Sequence, residues 1–125
     1  MGKVLIIDDD VQILRALRAL LEREGYEVLV TIDGTTGSRL CKEEAVDVVI
    51  TDILMPEKDG LELIIELRRD CPGVKIVAMS GGGGGLGQED LLYMARGLGA
   101  SDVLCKPFSV AEVLRAVRKA FENRP

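Results

Sequence analysis

Five polar residues of this chain stand where a buried core has no use for them. Asp8 and Asp9 follow the apolar run from Lys3 to Ile7, and Asp52 follows Val48-Val49-Ile50. Ser80 follows Val74 to Met79, and Lys106 follows Asp102 to Cys105. Short apolar runs of this kind predict strands buried on both faces. Ligands of open α/β sheets sit outside the carboxyl ends of the strands, so these groups, distant in sequence, should meet at one rim. Three carboxylates at close quarters repel and raise one another's pKa unless a cation joins them. Oxygen-only ligands at an open, hydrated site favour magnesium, with manganese as the substitute, over zinc.

That set suits in-line phosphoryl transfer to a carboxylate. Asp52 is the candidate nucleophile, and it needs no general base because it is already an anion at neutral pH. A metal would offset charge on the phosphate oxygens. Lys106 offers a compact positive charge to another oxygen, and the Ser80 hydroxyl with backbone N–H groups near Gly81 can donate to a third. The product is a mixed anhydride on Asp52, labile to water.

The elements that must position these groups alternate regularly. A strand over Lys3–Ile7 leads to a helix over Val11–Glu24 with Leu14, Leu17 and Leu21 on one face, closed by Gly25. Tyr26–Ile32 is a second strand ending in the turn pair Asp33-Gly34. Thr35–Glu44 is the weakest helix: its apolar face is thin and Gly37 costs up to about 1 kcal/mol relative to Ala. After the strand that carries Asp52, Met55-Pro56 and Asp59-Gly60 turn the chain into a helix over Leu61–Arg69, which holds Leu63, Ile64 and Leu67 and stops at Cys71-Pro72-Gly73. Beyond the fourth strand and Ser80 comes a glycine run from Gly81 to Gly87, read as a flexible loop. A helix over Gln88–Arg96 is broken by Gly97 and Gly99. After the fifth strand, Ser109 and Glu112 form a capping box for a last helix that faces Val110, Val113, Leu114, Val117 and Phe121 inward. Five strands alternating with five helices predict a single doubly wound α/β domain over residues 1–125, a five-stranded parallel sheet with helices on both faces and no second domain.

Composition narrows the function. The 125 residues carry a net charge of −5 without a basic patch, which argues against direct nucleic-acid binding. No apolar run is long enough for a membrane span, and the first residues lack a signal-peptide pattern. Cys41, Cys71 and Cys105 lack Cys-x-x-Cys spacing and read as small hydrophobes in or near the core of a cytoplasmic protein. With no His in the chain, a phosphohistidine donor and a His-based metal site are excluded. Asp10 reads as a helix cap. The glycine run lacks the Gly-Lys-Ser/Thr ending of a phosphate loop and follows the fourth strand instead of the first.

Taken together, the acidic pair Asp8-Asp9, Asp52 within Asp-x-x-Met-Pro-x-x-Asp-Gly, Ser80 and Lys106-Pro107-Phe108 resemble the response-regulator receiver domains of two-component signalling over the whole chain. The resemblance implies a flavodoxin-like fold with strand order 2-1-3-4-5 and Asp52 as phospho-acceptor. It implies a magnesium ion touched directly by Asp9 and Asp52 beside Asp8, with the Leu54 backbone carbonyl completing the protein ligands. Ser80, Gly81 and Lys106 would contact the phosphate, Lys106 would pair with Asp52, and Lys106-Pro107 would be cis. The implied donor is a sensor histidine kinase, a phosphotransfer protein or a small acyl phosphate, docking near the first helix and the Pro107-Phe108 loop. The output is a conformational shift at the face of the fourth helix, fifth strand and last helix, read by an effector protein or by an output domain not in this chain.

Two departures from the family bear on mechanism. Val103 stands where the family usually has Tyr or Phe, so no ring can swing inward behind Ser80. Slightly more residues than usual separate Ser80 from Lys106, the surplus lying in the glycine run, and ordering of that run on phosphorylation is an expected form of the signal. Leu54 and Gly82 cannot orient water through a side chain, so rapid self-dephosphorylation is not expected. The competing reading, a magnesium-dependent phosphatase or phosphotransferase with an aspartyl nucleophile, commonly needs an acid where Leu54 stands. The expectation is therefore a switch and not a turnover enzyme.

Overall fold

The computed structural model describes residues 2–54, 60–81 and 88–122. Strands β1 (Lys3–Ile7), β2 (Glu27–Thr31), β3 (Val48–Asp52), β4 (Lys75–Ser80) and β5 (Asp102–Cys105) alternate with helices α1 (Val11–Arg23), α2 (Gly34–Glu43), α3 (Gly60–Asp70), α4 (Gln88–Leu98) and α5 (Val110–Glu122). The strands form one all-parallel sheet in the order β2-β1-β3-β4-β5. This is the expected doubly wound arrangement.

Alternation along the strands makes two cores. Val4, Ile6, Val48, Ile50, Val77 and Met79 face α1 and α5, while Leu5, Ile7, Val49, Ile76 and Ala78 face α2, α3 and α4. The three central strands are apolar on both faces because both are covered. Helix α1 buries Leu14, Leu17 and Leu21 as expected, and Leu63, Ile64 and Leu67 of α3 have no exposed surface.

Local signals set the helix ends. The Asp10 carboxylate accepts from the Gln12 N–H at 2.9 Å and starts α1. Gly25 ends it with φ +97°, its N–H donating to the Glu22 carbonyl and that of Tyr26 to the Leu21 carbonyl, a Schellman closure. Ser109 and Glu112 exchange the two hydrogen bonds of a capping box, each 3.1 Å. Lys106-Pro107 is cis.

Several expectations shift. Ser80 is the last residue of β4 and not the residue after it. Asp33 caps α2 by accepting from the Thr36 N–H at 2.7 Å, so Gly34 opens a helix instead of completing a turn. Gly97 sits inside α4, which runs to Leu98 and ends at Gly99 with φ +120°. Val110 is exposed, because it opens the first turn of α5, while Ala116 and Ala120 join Val113 and Val117 in the core. Cys41 is in the core and half-buried Cys71 packs against it as expected, whereas Cys105 is exposed. The expected turn at Met55-Pro56, the Asp59 half of the next one, and 82–87 of the glycine run lie outside the described residues.

Gly37 proves to be a packing requirement more than a defect of α2. A Cβ there would collide with the δ-methyl of Ile7 and approach its γ-carbon at 3.0 Å, and fully buried Ile7 has little room to retreat. Gly37→Ala should therefore destabilise the chain by about 1 kcal/mol or more through overpacking, against a propensity gain of up to about 1 kcal/mol. Urea denaturation decides between them; a variant more stable than the parent would show that propensity dominates.

Candidate functional site

In a parallel sheet with this order, β1 and β3 are neighbours at the point where the connections change direction, which leaves a crevice at their carboxyl ends. Asp8 lies one residue past β1 and Asp52 is the last residue of β3, so the two carboxylates flank that crevice. Ser80 ends β4 in register with Cys105, and its carbonyl accepts from the Lys106 N–H at 2.8 Å. The backbone thus fixes where the lysine stem starts. The stem lies over Gly81, where an added Cβ would touch the Lys106 Cδ at 3.5 Å.

Lys106 Nζ reaches Asp8 Oδ2 at 2.8 Å and Asp52 Oδ2 at 3.3 Å, bridging side chains 98 and 54 positions away. The remaining oxygens are held by backbone. Asp8 Oδ1 accepts from the Asp10 N–H at 2.9 Å, and Asp52 Oδ1 accepts from the Leu54 N–H at 3.0 Å. Asp8, Asp52 and Ser80 are buried and Asp9 is exposed. Among the described residues, no buried side-chain oxygen or nitrogen lacks a partner.

The electrostatics differ between the partners of the bridge. Burial pushes the Asp8 carboxyl above the ordinary carboxylate range, with the Asp52 charge adding to it, and the bonds from Lys106 and the Asp10 N–H only partly offset this. Burial also works against the Lys106 ammonium, but its bond to Asp8 and the charges of Asp52 and Asp8 prevail and hold it above lysine's ordinary value. The asymmetry is physical: the Asp8 side chain has lost all contact with water, whereas that of Lys106 keeps 20% of its surface.

One carboxylate oxygen from each of Asp8, Asp9 and Asp52 lies within 4.8 Å of the others, the one such acidic cluster among the described residues. Three hard oxygen donors, one of them exposed, fit a partly hydrated divalent cation of the magnesium class. The five expected site residues therefore stand at one rim. Gly81 adjoins Lys106 there, and Leu54 lies beside Asp52 through its N–H. Val103 pairs with Ala78 on β4 and packs half-buried against the α2–α3–α4 core. Sequence reasoning missed the second part played by Asp10, whose N–H orients Asp8; a backbone donor leaves no mark in residue identity.

The chain matches the family model of the response regulator receiver domain over residues 4–118. It belongs to the response-regulator receiver family. It is 34% identical over 120 residues to the transcriptional regulatory protein CpxR of Klebsiella pneumoniae, covering 94% of this chain and 48% of that protein. Among solved structures, a response regulator receiver domain protein of Clostridium thermocellum superposes with a TM-score of 0.89 at 32% identity, covering 98% of this chain and 95% of that one. The beryllofluoride-activated NtrC4 receiver domain, a dimer in solution, gives 0.88 at 32% identity and 98% coverage of both chains. The chain spans about half the length of the curated relatives it matches. Receiver domains are phosphorylation-dependent switches of two-component systems. Among the described residues, no helix is long and apolar enough to cross a membrane.

A buried acid whose pKa is raised by folding binds its proton more tightly in the native state, so its contribution to stability is greatest below the unfolded value. It is lost as pH rises through the raised native value. Asp8 is such a group. Asp8→Asn should therefore stabilise the metal-free chain at neutral pH, by roughly 1 kcal/mol, since it removes a poorly compensated buried charge. The advantage should shrink as pH falls to about 4, near the unfolded carboxyl pKa. Urea titrations in chelator at both pH values check it; a variant less stable at neutral pH would mean that the bridge to Lys106 more than repays the burial.

Proposed function

We propose that Asp52 is the phospho-acceptor of this receiver domain, with the rim built around it as the transfer site. The observation that carries this is the Lys106 ammonium held between Asp8 and Asp52. A half-buried cation tethered at that point can follow an oxygen of a phosphoryl group once Asp52 carries it as an acyl phosphate. In the transfer, an Asp52 oxygen attacks phosphorus in line, and the bond from phosphorus to the donor's acyl oxygen or imidazole nitrogen breaks. Lys106 contacts one phosphoryl oxygen, and the Ser80 hydroxyl with the Gly81 N–H contacts another. Asp8, Asp9, Asp52 and the Leu54 carbonyl would hold magnesium, or manganese in its place, whose chemistry is to offset phosphate charge. Leu54 is a poor fit to the phosphatase alternative, because it brings a partly exposed hydrocarbon where a second acid would serve.

The donor on this reading is a sensor histidine kinase, a phosphotransfer protein or a small acyl phosphate. An apolar groove of about 190 Å³ between α1 and the start of α5, lined by Leu17, Leu20, Phe108, Val110 and Val113, supports docking there and gives exposed Val110 a use. Tyr93, Met94 and Leu98 leave apolar surface on α4, which supports output through the α4–β5–α5 face to an effector or an attached output domain. Val103 in place of a ring means that the signal travels without an aromatic rotamer switch. A chain with three unpaired thiols and the relatives' regulatory role support a cytoplasmic setting.

Acetyl phosphate and magnesium test the reading. The expected product is one phosphoryl group per chain by intact mass, absent in Asp52→Ala, and formed roughly 100-fold more slowly in Lys106→Met. Continuous release of phosphate over many turnovers would favour the phosphatase. No adduct, or one that persists without Asp52, would refute the assignment.

A further inference from the structure

We propose that Cys41 and Cys71 form a dithiol–disulfide couple that ties the end of α2 to the end of α3 when the chain meets hydrogen peroxide. Cys41 occupies the buried face of α2 near its end, and Cys71 directly follows Asp70, the last residue of α3. Cys71 packs against the same core cluster that contains Cys41. Both line an open cleft of about 470 Å³ with Val46, Asp47 and Val74, at the rim of the sheet opposite Asp52. Lys42 Nζ and Asp70 Oδ2 stand 3.9 Å apart across the same gap, so neighbours of both cysteines already meet there.

The two sulfurs are unequal, which gives the reaction an order. Cys71 is half-buried and reached from the cleft, whereas Cys41 is 4% exposed. Burial, and after it the neighbouring Cys71 thiol, push the Cys41 thiol up to about 12, so it stays protonated and does not meet the oxidant first. The Cys71 sulfur attacks one peroxide oxygen and the O–O bond breaks, giving a sulfenic acid and one water. The Cys41 sulfur then displaces that hydroxyl, its proton leaving with it as a second water. Two thiols lose two electrons and two protons, and one hydrogen peroxide becomes two waters. Because both thiols line one cleft, the second step is intramolecular, which favours it over further oxidation of Cys71. The bond closes a ring over residues 41–71, including β3 and α3, and so restricts the unfolded chain.

The test uses the Cys105→Ser chain, which leaves these two thiols alone. After equimolar hydrogen peroxide the expected product is a monomer two hydrogens lighter, with no free thiol and a peptide joining positions 41 and 71. Its Tm should rise by roughly 5–10 °C and return on adding dithiothreitol. Cys71→Ser, at the more exposed position, spares the core and should show no such rise. Two intact thiols, sulfinic acid at Cys71, a disulfide between chains, or a Tm rise that survives Cys71→Ser would each overturn the proposal.

Discussion

The arrangement of this molecule depends on keeping two buried carboxylates a few ångströms apart without a net penalty that would unfold the chain. Asp8 and Asp52 come from adjacent central strands whose other polar outlets are closed by the cores above and below. The Lys106 ammonium, delivered from beyond the edge strand β5, compensates them. It reaches them because β4 and β5 pair in register up to Ser80 and Cys105, which fixes where the lysine stem starts. The compensation is incomplete at Asp8, where burial outweighs the bridge. A rim under such strain gains from an added cation and from neutralisation of Asp8, which makes it responsive to chemistry that a relaxed site would ignore.

Packing elsewhere serves that geometry. The two cores clamp β1, β3 and β4 from both sides, and the close approach at Gly37 brings α2 down onto Ile7, the residue just before Asp8. The backbone N–H groups of Asp10 and Leu54 then fix the outer oxygen of each carboxylate. Each acid is therefore oriented by the turn that follows its own strand, and only the inner oxygens are shared with Lys106. At the opposite rim the charges are exposed and paired, Lys3 Nζ standing 3.4 Å from Glu27 and 3.8 Å from Glu44, beside the cleft that holds Cys41 and Cys71.

Much of this was legible in the residues. Apolar runs of strand length followed by Asp, Ser or Lys announce both the parallel sheet and the rim at which its polar groups converge, because chain direction alone fixes which end they occupy. Caps at Asp10 and Ser109 and the stop at Gly25 were readable because each rests on local hydrogen bonds. What failed depended on tertiary contacts. Gly97 carries on within α4 although glycine is a weak helix former. Val110 matches the helical period but sits at the first turn of α5, beyond the reach of the sheet. Gly37 looked like a flaw, since nothing in the sequence shows that Ile7 lies against it. The proximity of Cys41 and Cys71 was invisible for the same reason.

The most direct measurement of the central claim is a crystal structure with magnesium and beryllofluoride bound. The expected result is beryllium on an Asp52 oxygen, Lys106 Nζ moved from the carboxylates to a fluorine, and the metal among Asp8, Asp9 and Asp52. Beryllofluoride on another residue, or a lysine amine still shared by Asp8 and Asp52 with the fluorines uncontacted, would contradict it.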